Sequence, residues 1–221
     1  MEEETSAKPH ERNAWDTLLR TPPGRSHLIQ IYNDDEVLVR AVAHFVGSGL
    51  ASGGAAVVIA TPEHIAAVTS RLSTTGVTAR ANVQGAFIAV DAEQCLTQFM
   101  RDGMPDRDAF RSVTESMLTR LRDAGYRDIR LFGEMVNILW RQGDEATVRL
   151  EKLWNELLEE YGVSLLCAYR IDPVAAELRK GLLHQISRCH TAAFSETDDL
   201  PVKTAAEKAA EDRDRRRVRS A

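Results

Sequence analysis

The residues with the most chemistry in them stand where apolar runs end. "HLIQIY" closes on Tyr32 and is followed at once by Asn33, Asp34, Asp35 and Glu36. "AFIAVDA" carries Asp91 near its end, "DIRLFGEM" carries Glu134, and "VSLLCAY" closes on Tyr169. A carboxylate so placed can serve as a general base, grip a polar ligand, or cap the helix that follows. A tyrosine there offers a packing surface and a polar tip. His27 precedes the first run, and Trp140 lies just downstream of Glu134 in "FGEMVNILW". His27 is either a structural histidine or a ligand contact, and Trp140 either core or pocket wall.

The elements that must position these groups alternate. "HLIQIY" (27–32) reads as a strand, and Val37, Leu38, Ala41, Val42, Phe45, Val46 and Leu50 follow at helical spacing until Gly53 and Gly54. "AAVVIA" (55–60) is a continuous apolar run, as expected of a strand covered on both faces. Thr61 and Pro62 then supply a cap and a first-turn proline. Further strands are expected at 86–92, 128–135 and 163–169, with helices through Leu96 and Phe99, through Phe110 to Leu121, through Leu150 to Tyr161, and from Val174 to Cys189. "GMPD" breaks the chain at 103–106. Strands alternating with helices predict a three-layer α/β/α sandwich with a mostly parallel sheet. In such a sheet the strand ends converge, so Tyr32, Asp34, Asp91, Glu134 and Tyr169 are expected on one rim.

The first strand–turn–helix junction lacks what a nucleotide needs. A phosphate loop uses glycines for close backbone approach, a lysine for the phosphates and a hydroxyl for magnesium. "YNDDEV" has none of them, and it puts carboxylates where phosphates would sit. Like charges about 4 Å apart repel by roughly 1 kcal/mol in water and by several times that when partly buried. Asn33, Asp34 or Asp35 can instead cap the next helix, where negative charge suits the helix dipole. For Glu134 three roles stay open: a buried carboxylate held by backbone donors or by Arg130 or Arg141, a ligand contact, or a water-activating base.

Other patterns are weaker. "HQISRCH" suggests metal binding, but His184, Cys189 and His190 do not share a helix face, and no metal site is expected. Cys167 sits inside an apolar strand and reads as an inert buried thiol. No Gly-x-Ser-x-Gly elbow is present. Cys95, Cys167 and Cys189 are odd in number and far apart, so a reduced, cytoplasmic setting is expected without a disulfide framework. The net charge of -5 argues against nucleic acid as a partner. No uncharged apolar run reaches the roughly 20 residues of a membrane span. Residues 1–24 read as an N-terminal extension with an amphipathic piece at Trp15, Leu18 and Leu19 ending at "TPPG". The domain proper is expected over 25–194. Residues 195–221 form a charged tail, helical or disordered, whose arginines from Arg215 to Arg219 are interleaved or flanked with acids.

Several long motifs together resemble the MEDS family, the methanogen/methylotroph DcmR sensory domain. They are "HLIQIYNDDEVLVRAVAHFVGSGLASGGAAVVIATPEH", "DAEQCLTQFMRDGMPDRDAF", "FGEMVNILWRQGDEATVRLEKLWNEL" and "SLLCAY", in the family's order over roughly residues 25–192. The resemblance implies a RecA-like fold that has lost its phosphate loop. It also implies a sensory, small-ligand-binding role in prokaryotic signalling, often beside a histidine kinase or another output domain. No kinase or DNA-binding module is recognisable in the chain, so output is expected to pass to a separate signalling protein such as a histidine kinase. The expected function is thus a non-enzymatic module of bacterial signal transduction. It would bind an unidentified small ligand at the rim through His27, Tyr32, Asp34, Asp35, Asp91, Glu134, Trp140 and Tyr169, with no cofactor. A docking module without a ligand, and a residual nucleotide hydrolase using Glu134, are the alternatives. Self-association is plausible by analogy with RecA-like relatives.

Overall fold

The computed structural model describes residues 9–74, 76, 81, 85–171 and 179–195. Its centre is a six-stranded, wholly parallel sheet. The strands are β1 (His27–Tyr32), β2 (Ala55–Ala60), β3 (Phe87–Asp91), β6 (Ile129–Gly133), β7 (Ser164–Arg170) and β8 (Ala192–Ser195), in spatial order β3-β2-β6-β7-β1-β8. β4 (Met100–Arg101) and β5 (Met104–Pro105) form a small antiparallel hairpin apart from the sheet, at the "GMPD" break. The five expected strands are present. The sixth, β8, went unread because four residues before a charged stretch carry no periodicity of their own; it forms by pairing with β1. Ser195, expected to open the tail, ends that strand.

Helices cover both faces. α1 (Pro9–Arg20), α2 (Asp35–Ala51) and α3 (Pro62–Ser73) pack on one side. On the other lie α4 (Ala92–Phe99), α5 (Arg107–Asp123), α6 (Met135–Gln142), α7 (Asp144–Tyr161) and α8 (Lys180–Cys189). The three-layer sandwich expected from the alternation is the observed one. The last helix, expected from Val174, is seen from Lys180; residues 172–178, 196–221 and the basic run of the tail lie outside the described residues.

Local chemistry sets the helix starts. Asp34, Thr61, Asp91 and Asp106 each cap a helix by accepting a backbone N–H from the first turn: from Glu36 at 2.9 Å, His64 at 3.4 Å, Gln94 at 3.0 Å and Ala109 at 2.8 Å. α7 ends at Gly162, whose φ of +64° is left-handed and suits glycine. β1, β2 and β6 are buried along their whole length, which is why they read as apolar runs without alternation. α1 is docked on the domain: Trp15 is buried, stacks on Phe194 at 5.4 Å and donates its indole N–H to Gln30 at 2.9 Å.

Candidate functional site

Two polar clusters are built on this frame. The first is at the carboxyl edge of the sheet. β2 and β6 are neighbours, so Thr61 after β2 and Glu134 after β6 stand side by side. The Glu134 carboxylate is buried; one oxygen accepts the Thr61 N–H at 3.1 Å, and both lie 2.9 Å from His64 Nδ1. His64 Nε2 faces Asp35 Oδ1 at 3.6 Å, and Asp35 also takes an Arg170 N–H at 3.0 Å. Tyr32 presents its ring edge to His64, and its hydroxyl accepts from Asn137 Nδ2 at 3.4 Å. Asn137 Oδ1 accepts the Arg170 backbone N–H at 2.9 Å. The hydrogen bond to Glu134 raises the His64 pKa above its ordinary value against the opposing effect of burial. Burial pushes the Tyr32 hydroxyl well up, with the Glu134 and Asp35 charges adding to it.

Of the expected rim residues, Tyr32, Asp35 and Glu134 come together. Asp34 and Asp91 are occupied as caps of α2 and α4. Glu134 is held by a backbone donor, as one reading had it, but its side-chain partner is His64 rather than Arg130 or Arg141. Arg130 sits elsewhere, giving hydrogen bonds to the carbonyls of Leu19, Phe45 and Arg20. Trp140 is buried, meets the Tyr169 ring edge-to-face at 5.7 Å, and carries the Arg179 guanidinium over its face at 4.9 Å. Sequence reasoning missed His64, Asn137 and Arg170. A signal existed for His64: it is the third residue after the Thr61 cap, so it lies in the first helical turn above a strand end.

The second cluster lies inside the α7/α8 face. Tyr169, expected at the rim, and His27, expected as a ligand contact, belong here instead. The β1–β7 register pairs His27 with Leu165, Ile29 with Cys167 and Ile31 with Tyr169, so His27, Cys167 and Tyr169 share one face of the sheet. Glu151 descends onto it from α7, and His190 from the end of α8. All five are buried. His27 Nε2 is 3.2 Å from Glu151 Oε2 and 3.3 Å from Cys167 Sγ. Cys167 Sγ is 3.9 Å from Glu151 Oε2, and His190 Nε2 is 3.5 Å from Glu151 Oε1. The Tyr169 hydroxyl donates to Glu151. Burial would raise the Glu151 pKa, yet His190, His27 and Tyr169 outweigh it and hold the carboxyl below the usual range. Burial and the Glu151 charge push the Cys167 thiol and the Tyr169 hydroxyl up. Cys167 is thus buried as expected, but it has polar company. His184 is exposed whereas His190 is buried, in line with the poor spacing of "HQISRCH".

Glu151 was legible in retrospect. With Thr147, Trp154 and Leu158 it occupies the buried stripe of α7, and a carboxylate on an apolar stripe needs a partner.

Clefts of about 540 and 310 Å³ lie away from both clusters. The larger runs between β5, α7 and α8 past Asp144, Arg149 and Lys152; the smaller lies beside Trp15, Arg40 and His44.

The sequence profile of the MEDS family, the methanogen/methylotroph DcmR sensory domain, matches residues 26–191. The chain belongs to the MEDS family. The match begins just before β1 and ends just after His190, so it includes both clusters and every sheet strand but β8. It supports a sensory role in general terms. No curated protein gives a significant match to the chain. Among the described residues, no helix is long and apolar enough to cross a membrane.

Proposed function

We propose that this MEDS domain is a non-enzymatic sensor that takes a small organic ligand at the carboxyl edge of its sheet, beside His64 and Glu134. The observation that carries the reading is the rim cluster itself. Tyr32, Asp35, His64, Glu134 and Arg170 converge where parallel α/β sheets bind their ligands. The same edge has carboxylates where a phosphate loop would stand, so a nucleotide is the wrong occupant. The larger cleft is a weaker candidate, because its polar wall is charged and open rather than a few convergent groups in an apolar pocket.

Catalysis by Glu134 is disfavoured because its carboxylate is already engaged by Thr61 and His64. A ligand competing for the Asp35–Arg170 contact would move the start of α2 relative to the end of β7, two elements whose relative position a partner protein can read. Output to a separate signalling protein, such as a histidine kinase, completes the proposal.

A thermal-shift screen of the full chain tests it, with small organic metabolites set against ATP and GTP with magnesium. A ligand that binds only the folded state raises the melting temperature. The expected result is a rise with an organic compound, reduced in Arg170→Ala, and none with nucleotides. A rise with ATP and magnesium, together with turnover lost in Glu134→Gln, overturns it.

A further inference from the structure

The buried cluster under β1 and β7 has a donor set that the rim reading does not use. We propose that His27, Glu151, Cys167 and His190 bind a divalent transition-metal ion of the zinc class. The ligand atoms lie within 4.8 Å of one another, and all four residues are buried. Metal bonds of about 2.0–2.3 Å at tetrahedral angles place donor atoms roughly 3.3–3.7 Å apart. His27 Nε2, Cys167 Sγ and Glu151 Oε2 stand 3.2, 3.3 and 3.9 Å apart, and His190 Nε2 is 3.5 Å from the other Glu151 oxygen, so with the whole set inside 4.8 Å the donors need only a small contraction to close on an ion. Two imidazoles, a thiolate and a carboxylate form a mixed set suited to zinc and its neighbours rather than to calcium or magnesium.

The second shell points the same way. His27 Nδ1 lies 3.1 Å from the Cys189 carbonyl and 2.9 Å from Asn155 Oδ1; His190 Nδ1 lies 2.8 Å from the Ile186 carbonyl. A carbonyl oxygen only accepts, so both Nδ1 atoms carry protons. That fixes the tautomer and leaves each Nε2 turned toward the Glu151 carboxylate. Each Nε2 can meet that carboxylate as a proton donor, or turn its lone pair to a cation shared with it. Metal-bound histidines are oriented in this way, with the far nitrogen donating to a carbonyl or a carboxylate.

Charge supports it as well. A divalent ion with one thiolate, one carboxylate and two neutral imidazoles is neutral overall, which a buried site requires. Binding releases the Cys167 thiol proton and any second proton on the imidazoles to solvent. Tyr169 stands outside the donor set and orients Glu151 through its hydroxyl.

The test uses the full chain, produced in cobalt-supplemented medium and also refolded with cobalt chloride. Metal content is measured by elemental analysis and the visible spectrum is recorded. Expected are about one cobalt ion per chain, tetrahedral d–d bands and a thiolate-to-cobalt charge-transfer band. Cys167→Ser should lose the charge-transfer band. Asn155→Ala, which removes only the support behind His27, should keep the spectrum but bind roughly 10–100-fold more weakly. Folded wild-type chain with neither metal nor cobalt bands from either preparation overturns the proposal, and so does a spectrum unchanged in both Cys167→Ser and His190→Gln. Neither result bears on the rim, whose ligand is read by the separate thermal-shift screen.

Discussion

His64 Nδ1 lies 2.9 Å from both carboxylate oxygens of Glu134, while Nε2 of the same ring faces Asp35 at 3.6 Å. Carboxylates on both sides of the imidazole favour its doubly protonated form, and the hydrogen bond to Glu134 raises the His64 pKa against the effect of burial. The groups facing the ring are Glu134 from the end of β6, Asp35 from α2 with Arg170 of β7 behind it, and the edge of Tyr32 from β1.

A pH-dependent stability follows, with a definite sign. A folded-state pKa above the unfolded value of 6.5 means that the folded state holds its proton more tightly. The contribution of His64 is fully present below about pH 6.5 and is lost as pH rises through the raised folded value. Urea unfolding of wild type and His64→Gln should therefore differ most near pH 6, on the order of 1 kcal/mol for a charge-assisted bond. The gap should narrow toward alkaline pH. A gap that widens with pH would show that the ring is neutral in the folded state.

The sheet was legible because its inner strands are buried on both faces and the helices after them start at caps. "AAVVIA" needs no tertiary information to read as a central strand. The rim was half legible. Strand-end residues such as Tyr32 and Glu134 could be placed by parity with the fold, but Arg170 lies one residue past the expected end of its strand. The inner cluster was not legible as a unit. Its four donors come from β1, α7, β7 and the end of α8, and only the β1–β7 register together with the packing of α7 and α8 brings them within reach. Tyr169 went to the rim in the sequence reading because chain position gives the end of a strand but not the face its side chain takes.

Arg130 should prove a structural anchor. Its guanidinium gives hydrogen bonds to the Leu19 and Arg20 carbonyls at the end of α1 and to the Phe45 carbonyl of α2, at 3.1, 3.0 and 2.8 Å. Arg130→Met should cost about 3 kcal/mol by leaving buried acceptors unpaired, and amide exchange should rise first in α1. Gly49→Ala probes the same contact from the other side. A Cβ there would stand 2.6 Å from Arg130 Cδ and Nε, so a loss of about 1–3 kcal/mol is expected by denaturant titration.

Trp15 ties the first helix to the sheet by two separable contacts, the stack on Phe194 and the N–H given to Gln30. Trp15→Phe should keep most of the packing and cost about 1 kcal/mol for the lost hydrogen bond. Trp15→Ala should cost about 3 kcal/mol or more, since a buried indole leaves a cavity. Equal losses in chemical denaturation would show that the Gln30 bond, not the stack, seats the helix.

The thiols should react in an order set by burial. Cys95 is buried, and burial together with the Asp91 charge pushes its pKa to about 12. At neutral pH almost none of it is thiolate, the reactive form. Cys189 is only half-buried, at the end of α8. Brief treatment of the native chain with iodoacetamide, followed by peptide mass mapping, should therefore mark Cys189 and leave Cys95 unmodified. In urea above the unfolding midpoint Cys95 should be marked as well. Early labelling of Cys95 in the native chain would mean that α4 opens from the sheet far more readily than its buried face of Ala92, Cys95, Leu96 and Phe99 allows.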